Sequence, residues 1–317
     1  MGSGRKMIDP SLYSSHIPVL FEQCMRLMDP QPGGIFADGT LGAGGHSEGI
    51  LKASSPDGRL LAFDLDPVAI EIAQEKLKPY GDRVRIIRDS YVNLGKYAEE
   101  NSLDGFIVDL GVSSMQLDEQ ERGFSFLQDG PLDMRFSPDQ TVSAADIVNN
   151  QSEEELVRIL WEYGEERKSR RIAAMICAER ENRRIDTTGQ LREIIQNAVG
   201  SGREKIHPAT RSFQAIRIAV NEELRAVESV LPAAVKALKP GGRLLVISFH
   251  SLEDRIVKNY FKTESRDCLC PPEQPVCTCG HKASLRELTR HPVIADDDEI
   301  RINPRSRSAK LRAAVKI

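Results

Sequence analysis

The sequence predicts an α/β fold with a mostly parallel sheet that is interrupted by an inserted all-helical domain. Apolar segments of strand length alternate with helix-like segments between residues 34 and 109, which is typical of repeated βα units. From about residue 144 to 219 the pattern is helical throughout, and a strand-like apolar run returns after it. We therefore predict a discontinuous α/β domain at 1–122 and 218–317, and a helical domain at 123–217.

The composition is that of a globular protein with a sizeable core. The chain has 317 residues, of which 40% are hydrophobic and 5% aromatic, and its formal net charge is −4. That charge argues against a general polyanion binder but is compatible with a local basic surface. No apolar run approaches the length of a membrane span, and residues 1–6 lack the apolar core of a signal peptide. The six cysteines do not indicate a disulfide scaffold, so we expect a cytoplasmic protein.

Each predicted element rests on a local signal. The first helix stops before Pro30, and Asp66 with Pro67 is a favourable start for the third. After the helical region a long helix, with bends expected near Asn221 and Pro232, ends before a glycine pair. The predicted strands are 34–37, 59–64, 84–88, 103–109, 243–248 and an edge strand near 311–315. The helices predicted before and after the central helical region are 21–28, 47–52, 68–77, 94–100, 213–239 and 251–261.

A glycine-rich turn, residues 38–46, links the first strand to a helix. Such a turn forms a nucleotide-sized site at the carboxyl edge of a parallel sheet. The dinucleotide pattern G-x-G-x-x-G is incomplete, because Gly42 and Gly44 are followed by Ser47. Asp38 would also repel a pyrophosphate and suit a cation. The pattern D-x-T-x-G-x-G is instead typical of class I methyltransferases, whose ligand S-adenosylmethionine carries an ammonium and a sulfonium. A tight turn without a ligand is the alternative.

Two further strands of the predicted sheet end in a carboxylate. Asp64 ends the second strand, 20 residues after Gly44, which is the distance expected of an acid that binds ribose hydroxyls. Asp109 ends the fourth strand, which lies beside the first in this topology. That position is the switch point where ligands bind. The alternative for Asp64 is a simple cap at a strand or helix end.

Several sequence blocks, taken in order, carry a resemblance to a known family. They are Asp38–His46, Asp109–Ser114 with Gln116–Asp118, Arg122–Phe126, Gly130–Arg135, Tyr163–Glu166, His207–Arg217 and Ser248–Arg255. From His16 to about Arg312 the chain resembles the bacterial small-subunit ribosomal RNA cytosine-N4 methyltransferases, the RsmH/MraW family. Such an ordered set is far more specific than a single glycine turn.

The resemblance implies a class I methyltransferase with a Rossmann-like sheet and S-adenosylmethionine as cofactor. It further implies methylation of the exocyclic N4 of one cytosine in the decoding region of 16S ribosomal RNA. The partner would be this RNA or the 30S subunit, and the choice between monomer and homodimer is left open. The implied cofactor contacts are Gly44, Gly45, His46, Asp64, Tyr91, Asp109 and Gln116. The alternatives are plain packing for Tyr91 and capping for His46.

The implied reaction needs a group that takes up positive charge or a proton from a weakly nucleophilic amine. Asp109 is the first candidate, although other exocyclic-amine methyltransferases have a (D/N/S)-P-P-aromatic turn where this chain has Asp-Leu-Gly-Val. Asp133 is the second candidate. His250 is the third, and a hydrogen-bonded histidine at a strand end explains it equally well. Ser113 and Ser114 are predicted to bind the base.

RNA is expected to bind the inserted helices and the loop after the fourth strand. Phe124 and Phe126 are predicted to stack on a flipped base, with core packing as the alternative. Arg135, Arg170 and Arg211 are predicted substrate contacts, and a merely solvated helix face is the alternative for the cluster that contains Arg170. The other basic residues of these clusters are Arg167, Lys168, Arg171, Arg183, Arg184, Arg203, Lys205, His207 and Arg217.

Four cysteines follow the last predicted helix. Cys268, Cys270, Cys277 and Cys279 form a C-x-C-x₆-C-x-C pattern, which predicts a structural zinc site, with four free thiols as the alternative. Methyl transfer itself needs no metal.

Two functions of other classes also fit parts of the sequence. One is an NAD(P)-dependent oxidoreductase on the same kind of sheet, which the missing third glycine and Asp38 disfavour. The other is a non-catalytic RNA-binding protein that retains a methyltransferase fold.

Overall fold

The chain forms two compact units in a computed structural model. The described residues are 17–200, 207–274 and 276–317. One unit comprises the chain up to Gly111 together with Arg225–Ile317, and the other is Val112–Leu224. The predicted helical domain, 123–217, lies within the second unit. This unit extends further at both ends because apolar side chains outside the predicted range, such as Leu117, pack against its core.

A seven-stranded sheet organises the first unit. Its strands are β1 (Ile35–Asp38), β2 (Arg59–Phe63), β3 (Val84–Ile87), β4 (Leu103–Asp109), β5 (Leu238–Ser248), β6 (Leu285–Glu287) and β7 (Lys310–Lys316). The spatial order is β3-β2-β1-β4-β5-β7-β6. Strands β1 to β5 are parallel, whereas β7 is antiparallel to β5 and β6. The prediction of an edge strand at 311–315 was therefore wrong in its position, because β6 covers the outer side of β7.

The sheet is buried on both faces, which explains its continuous apolar strands. Along β4, Phe106 and Val108 belong to one core cluster and Ile107 to the other. This alternation follows the two-residue period of a strand. The carboxyl ends of β1, β2 and β4 consequently lie side by side, where the sequence places its acidic residues.

Twelve α-helices lie among the described residues. They are α1 (Phe21–Met28), α2 (Gly45–Ala53), α3 (Pro67–Leu77), α4 (Ser114–Asp118), α5 (Ala144–Asn150), α6 (Glu153–Glu162), α7 (Ser169–Asn182), α8 (Thr188–Val199), α9 (Thr210–Asn221), α10 (Glu223–Ala237), α11 (Ser251–Glu264) and α12 (Asp297–Ile302). None of them combines the length and apolar character needed to cross a bilayer.

Two helix predictions need correction. The segment 94–100 is not an α-helix; a 3₁₀ helix, Tyr91–Lys96, replaces it, capped by the Ser90 hydroxyl. The single helix predicted at 213–239 is two helices, α9 and α10. They are separated by Glu222, whose φ of 49° is left-handed and ends the first helix. The break lies next to the bend expected at Asn221, whereas Pro232 lies inside α10.

The second unit is a helical bundle with its own core. Helices α6, α7, α8 and α9 pack their apolar faces together. The core includes Leu156, Ile172, Ile176, Leu191 and Ile216, all at most 1% exposed. The unit thus supplies a hydrophobic cluster independent of the sheet.

Candidate active site at the carboxyl edge of the sheet

The glycine turn between β1 and α2 has a backbone that only glycines adopt easily. Gly42 has φ 50° and Gly44 has φ 78°, both left-handed. A Cβ atom on Gly45 would lie 2.3 Å from Cγ of Pro18. The turn is joined to the neighbouring strand, since Leu41 N donates to Phe63 O at 2.8 Å. The glycines predicted as cofactor contacts therefore form a fixed backbone edge above β1.

Asp38 ends β1 and is almost fully buried. Its Oδ2 accepts a hydrogen bond from Ser47 Oγ at 2.7 Å, and its Oδ1 accepts one from Thr40 N at 3.0 Å. Burial raises the pKa of Asp38, against the opposing effects of the His46 charge and of these hydrogen bonds. The carboxylate thus fastens the turn to the first turn of α2.

Asp64 follows β2 and holds the turn from the other side. Its Oδ2 accepts from Gly42 N at 2.8 Å, and its Oδ1 accepts from Asp66 N at 2.9 Å. Burial raises the pKa of Asp64 to about 6 despite these bonds. A carboxylate oxygen accepts more than one hydrogen bond. The half-buried side chain therefore keeps acceptor capacity for the ribose hydroxyls that the sequence assigns to it.

Asp109 ends β4 and carries an unsatisfied oxygen. Its Oδ1 is buried and has no hydrogen-bond partner among the described residues. Burial raises the pKa of Asp109 well above its ordinary value, and the charges of Asp38 and Glu253 raise it further. A buried acceptor without a donor is costly. This carboxyl group is therefore suited to a ligand that brings a nitrogen donor or a positive charge.

Two residues that interact with these acids, Thr40 by hydrogen bonds and Glu253 through its charge, were not singled out from the sequence. Thr40 Oγ1 accepts from Asp109 N at 2.6 Å, and the Thr40 side chain also hydrogen-bonds Asp38. Thr40 therefore connects the ends of β1 and β4, and its place in the D-x-T pattern was the available signal. Glu253 is 1% exposed and accepts from Phe249 N at 2.9 Å. No sequence signal distinguished this buried carboxylate from an ordinary helix-capping acid.

Tyr91 lies against the glycine turn. A Cβ on Gly39 would be 3.0 Å from Cβ of Tyr91 and 3.0 Å from Cζ of Phe106. Tyr91 is half-buried at the start of the 3₁₀ helix after β3, and it packs against the core of the sheet. The structure thus brings this predicted adenine-covering residue to the turn.

His46 is held by protein groups. Its Nε2 lies 3.0 Å from Val19 O, and its ring stacks on Phe21 with centroids 6.3 Å apart. Burial lowers the pKa of His46, partly offset by the Asp38 charge. The side chain is 6% exposed. The ring therefore packs against protein groups, and the backbone N–H of His46 lies in the first turn of α2, where N–H groups have no intrahelical acceptor.

His250 caps α11. Its Nδ1 accepts from Glu253 N at 3.4 Å, and its Nε2 lies 3.2 Å from Glu253 Oε1. The Glu253 side chain in turn accepts from His250 N at 3.3 Å, which completes a capping box. These contacts correspond to the alternative of a structural histidine at a strand end, while Nε2 is buried and forms no hydrogen bond with the described residues.

Ser113 and Gln116 belong to the helical unit, where they cap α4. Ser113 Oγ accepts from Gln116 N at 3.2 Å, and Gln116 Oε1 accepts from Ser113 N at 3.0 Å. Gln116 is 7% exposed. Both predicted ligand contacts therefore have a local structural function. The side chain of Ser114 lies outside the described part of the structure.

Asp133 and Arg135 form an ion pair with each other, and the substrate role of Arg135 stays a prediction. Arg135 Nη2 donates to Asp133 Oδ2 at 2.7 Å, Nε donates to Oδ1 at 2.9 Å, and Nη1 donates to Gln140 O at 2.7 Å. Burial raises the pKa of Asp133, but Arg135 and the more distant Arg122 outweigh it and hold the pKa below its ordinary value. The guanidinium is thus occupied, and the carboxylate is a weak base.

The rings of Phe124 and Phe126 pack against other aromatic rings of the helical unit, and their role in stacking on a base stays a prediction. Phe124 is 7% exposed and stacks on Phe136 with centroids 5.7 Å apart. Phe126 stacks on His207 at 4.7 Å and meets the edge of Phe213 at 4.9 Å. Phe124 belongs to the core cluster of the helical unit, and Phe126 is half-buried and packs against that cluster. The core alternative therefore describes Phe124, and Phe126 only in part.

The predicted basic residues divide into bound and exposed ones. Arg217 pairs with Glu223 through two bonds of 2.8 Å, and Arg211 is half-buried. The side chains of Arg167, Arg170 and Arg171 are exposed and form no hydrogen bond or ion pair with the described residues. Arg203 and Lys205 lie outside the described residues. We call Arg167, Arg170 and Arg171 the α7 basic cluster; it begins just before α7 and continues into its first turn.

The four cysteines meet at the tip of the loop between α11 and β6. Their sulfur atoms all lie within 4.8 Å of one another, and none forms a disulfide. Backbone N–H groups of Leu269 and His281 lower the pKa of the Cys279 thiol to about 6. This cluster is distant in sequence from the acidic edge of β1, β2 and β4.

Comparison with known proteins identifies the family of this chain. The model of the MraW methylase family matches residues 13–317. The chain is 50% identical over 308 residues to the ribosomal RNA small subunit methyltransferase H of Heliobacterium mobile, covering 95% of this chain and 99% of that one. It is 52% identical over 308 residues to the protein of the same name from Geobacter sulfurreducens, covering 96% and 99%. A solved rRNA methylase from Streptococcus thermophilus aligns over 99% of both chains with a TM-score of 0.43 and 11% identity.

Proposed function

Because the chain belongs to the MraW methylase family, we propose that it methylates the exocyclic N4 of one cytosine in the decoding region of small-subunit (16S) ribosomal RNA. The methyl donor is S-adenosylmethionine. One observation carries the proposal most strongly, namely the buried Oδ1 of Asp109, which has no partner among the described residues and lies at the acidic edge of the sheet.

The charge of this edge supports a cationic donor. Asp38, Asp64 and Asp109 end or follow three adjacent parallel strands, and burial raises the pKa of each. A positive charge nearby stabilises such carboxylates in their ionised form. A pyrophosphate would have the opposite effect, so neither the acidic edge nor the family supports an NAD(P)-dependent oxidoreductase.

Each part of the donor has a complementary group in the first unit. In this proposal Asp64 accepts from the ribose hydroxyls, and Tyr91 covers one face of the adenine. The backbone of Gly44, Gly45 and His46 lines the methionine part at the start of α2. The hydrogen bond between Asp64 and Gly42 N supports this division, because it holds the ribose-binding acid and the glycine turn in one arrangement.

Proton transfer is assigned to Asp109. When bound, the cofactor supplies a methyl group on a positively charged sulfur, so the amine must lose one proton overall. Of the three candidate groups, Asp109 has a raised pKa and an oxygen without a partner in the described chain. Asp133 is held by Arg135, and His250 caps its own helix. We therefore assign proton transfer to Asp109, which lies at the acidic carboxyl edge of the sheet.

RNA binding is assigned to the helical unit. Exposed arginines without a protein partner are typical of phosphate contacts, and the α7 basic cluster has this character. Ribosomal RNA or the 30S subunit, free in the cytoplasm, is the substrate that this assignment implies. A homodimer stays a hypothesis, which light scattering of the purified chain in the presence and absence of RNA tests directly.

Transfer of a labelled methyl group tests the function. Small subunits that lack the modification are incubated with the purified protein and labelled S-adenosylmethionine, and the RNA is then digested and analysed for N4-methylcytosine. We expect one labelled cytosine in the decoding region, and none with subunits that already carry the modification. Salt-dependent RNA binding without methyl transfer would instead indicate a non-catalytic RNA-binding protein.

A further inference from the structure

The loop between α11 and β6 lacks a hydrophobic core. It runs from residue 265 to 284, and none of its described residues is buried. Its two largest apolar side chains, Leu269 and Val276, are 43% and 69% exposed. Apolar burial therefore does not determine the conformation of this loop, and small segments of this kind usually depend on cross-links or a metal.

Hydrogen bonds nevertheless close the loop at its base and at its tip. At its base Ser284 N donates to Glu264 O at 2.8 Å, and His281 Nε2 lies 3.2 Å from Thr263 O. At its tip Gln274 Nε2 donates to Thr278 Oγ1 at 2.8 Å. These bonds bring the two C-x-C segments opposite each other, so that all four thiols converge.

The spacing of the sulfur atoms is that of a tetrahedral metal site. Cys268 Sγ lies 3.4 Å from Cys277 Sγ and 3.8 Å from Cys279 Sγ, and the latter two are 3.6 Å apart. Four sulfurs at about 2.3 Å from a tetrahedral zinc would be about 3.8 Å apart. A disulfide would require an S–S distance of about 2.05 Å. These three distances between sulfur atoms are therefore close to those expected in a four-thiolate zinc site.

Backbone donors surround the same sulfurs. Leu269 N lies 3.4 Å from Cys279 Sγ, Cys270 N lies 3.4 Å from Cys268 Sγ, and Thr278 N lies 3.5 Å from Cys270 Sγ. Such N–H groups stabilise negative charge on sulfur, as outer-shell hydrogen bonds do for metal ligands in general. The loop therefore provides both the ligands and the donors that support them.

We propose that Cys268, Cys270, Cys277 and Cys279 bind one zinc ion, which holds this loop in its conformation. The four thiols lose their protons on binding, and the four resulting thiolates fill a tetrahedral coordination shell. Because four protein ligands leave no open position, the ion is structural. It takes no part in methyl transfer, and the proposal stands whether or not the RNA assignment above is correct.

Metal analysis of the full-length protein tests the proposal. We expect one equivalent of zinc per chain after purification without chelators. Cobalt exchanged into the site should give the visible absorption of a tetrahedral thiolate complex. The variant Cys277→Ser should retain less than about a tenth of an equivalent. The matched control, Cys177→Ser, changes a half-buried free cysteine outside the loop and should keep the full equivalent.

Limited proteolysis reports on the structural role. Arg266 and Lys282 are exposed trypsin sites near the two ends of the loop. Release of zinc should accelerate cleavage at these sites without changing the affinity for S-adenosylmethionine. Absence of zinc after incubation with excess metal, iron in its place, disulfides in the freshly purified protein, or equal zinc in Cys277→Ser and wild type would overturn the proposal.

Discussion

Replacing Asp109 by asparagine separates binding of the cationic cofactor from stability of the cofactor-free fold. The substitution keeps the shape of the side chain and removes its charge. In the protein alone, Oδ1 of Asp109 is buried without a partner, which costs about 1–3 kcal/mol. Asparagine retains this buried oxygen, but its amide cannot ionise. We therefore expect Asp109→Asn to be more stable than wild type at neutral pH when no cofactor is present, because folding of the wild-type protein must either bury the carboxylate charge or take up a proton.

The cofactor-bound protein should respond in the opposite direction. A hydrogen bond to a charged group contributes about 1.5–3 kcal/mol. Its loss should weaken S-adenosylmethionine binding roughly 10- to 150-fold. Removing the proposed proton acceptor should also lower kcat, so activity should fall even at saturating cofactor. An effect on affinity alone would restrict Asp109 to cofactor binding.

The pH dependence has a definite sign. Burial raises the pKa of Asp109 above its unfolded value, so its protonated form is favoured in the folded protein. The protonated Asp109 carboxyl group therefore contributes to the free energy of unfolding. This contribution is fully present below the pKa of the unfolded state and is lost as the pH rises through the higher pKa of the folded state. The stability advantage of Asp109→Asn should accordingly be large near neutral pH and should shrink on acidification.

Denaturant unfolding at several pH values and calorimetric titration with S-adenosylmethionine measure these effects. The matched control is Asp104→Asn, at the other end of the same strand, where the carboxylate pairs with Lys239 at 2.7 Å. That variant should lose a little stability and keep its cofactor affinity. Unchanged affinity in Asp109→Asn, or a lower stability than wild type at neutral pH, would refute this reasoning.

Three further substitutions test other parts of the site. Gly44→Val puts a β-branched residue at φ 78° and should abolish measurable cofactor binding by calorimetry; tight binding would contradict the position of the turn. Thr40→Val removes the acceptor for Asp109 N and should lower the free energy of unfolding by about 1–3 kcal/mol. An unchanged free energy in denaturant unfolding would show that the connection through Thr40 between Asp38 and Asp109 contributes little to stability. Arg170→Ala should weaken RNA binding and leave the cofactor affinity unchanged. The salt slope, which is the slope of the logarithm of the RNA-binding constant against the logarithm of the salt concentration, should fall in magnitude by about 1, and an unaltered slope would exclude this phosphate contact.

Two control substitutions away from the site accompany these variants. Arg301→Ala removes an exposed arginine in α12 that pairs with Asp298, and it should leave the salt slope of RNA binding unchanged. Thr263→Val makes the same change as Thr40→Val on the half-buried surface of α11 and should alter the free energy of unfolding by less than about 0.5 kcal/mol.

Local patterns were sufficient to predict the elements that build the acidic edge. The strand ends at Asp38 and Asp109 and the turn at Gly42–Gly44 follow from apolar runs, turn residues and glycine spacing. These features depend on neighbouring residues in the chain. The position of β7 does not, because its partners in β5 lie far away in sequence. Non-local pairing explains why β7 was predicted as an edge strand.

The surroundings of a side chain were harder to predict where its sequence context fits both a contact with RNA and a contact within the protein. Phe124 and Arg135 have the composition of an RNA-binding loop, yet the first fills the core of the helical unit and the second is bound to Asp133. A sequence gives the chemical type of such a group but not whether another part of the chain already occupies it. The same limit applies to His250, whose ring closes a capping box.

The place of β7 in the sheet also affects how the protein is synthesised. Ribosomes release a chain from its beginning, and β7 comes after every other strand while lying between β5 and β6. Until residues 310–316 emerge, one flank of β5 presents unpaired backbone groups to water, and β6 has no neighbour with which to pair. A ribosome stalled a few codons before this strand would carry a nascent chain in which the edge of β5 is unpaired and prone to aggregation. We expect a chaperone that binds extended apolar segments to associate with this nascent chain.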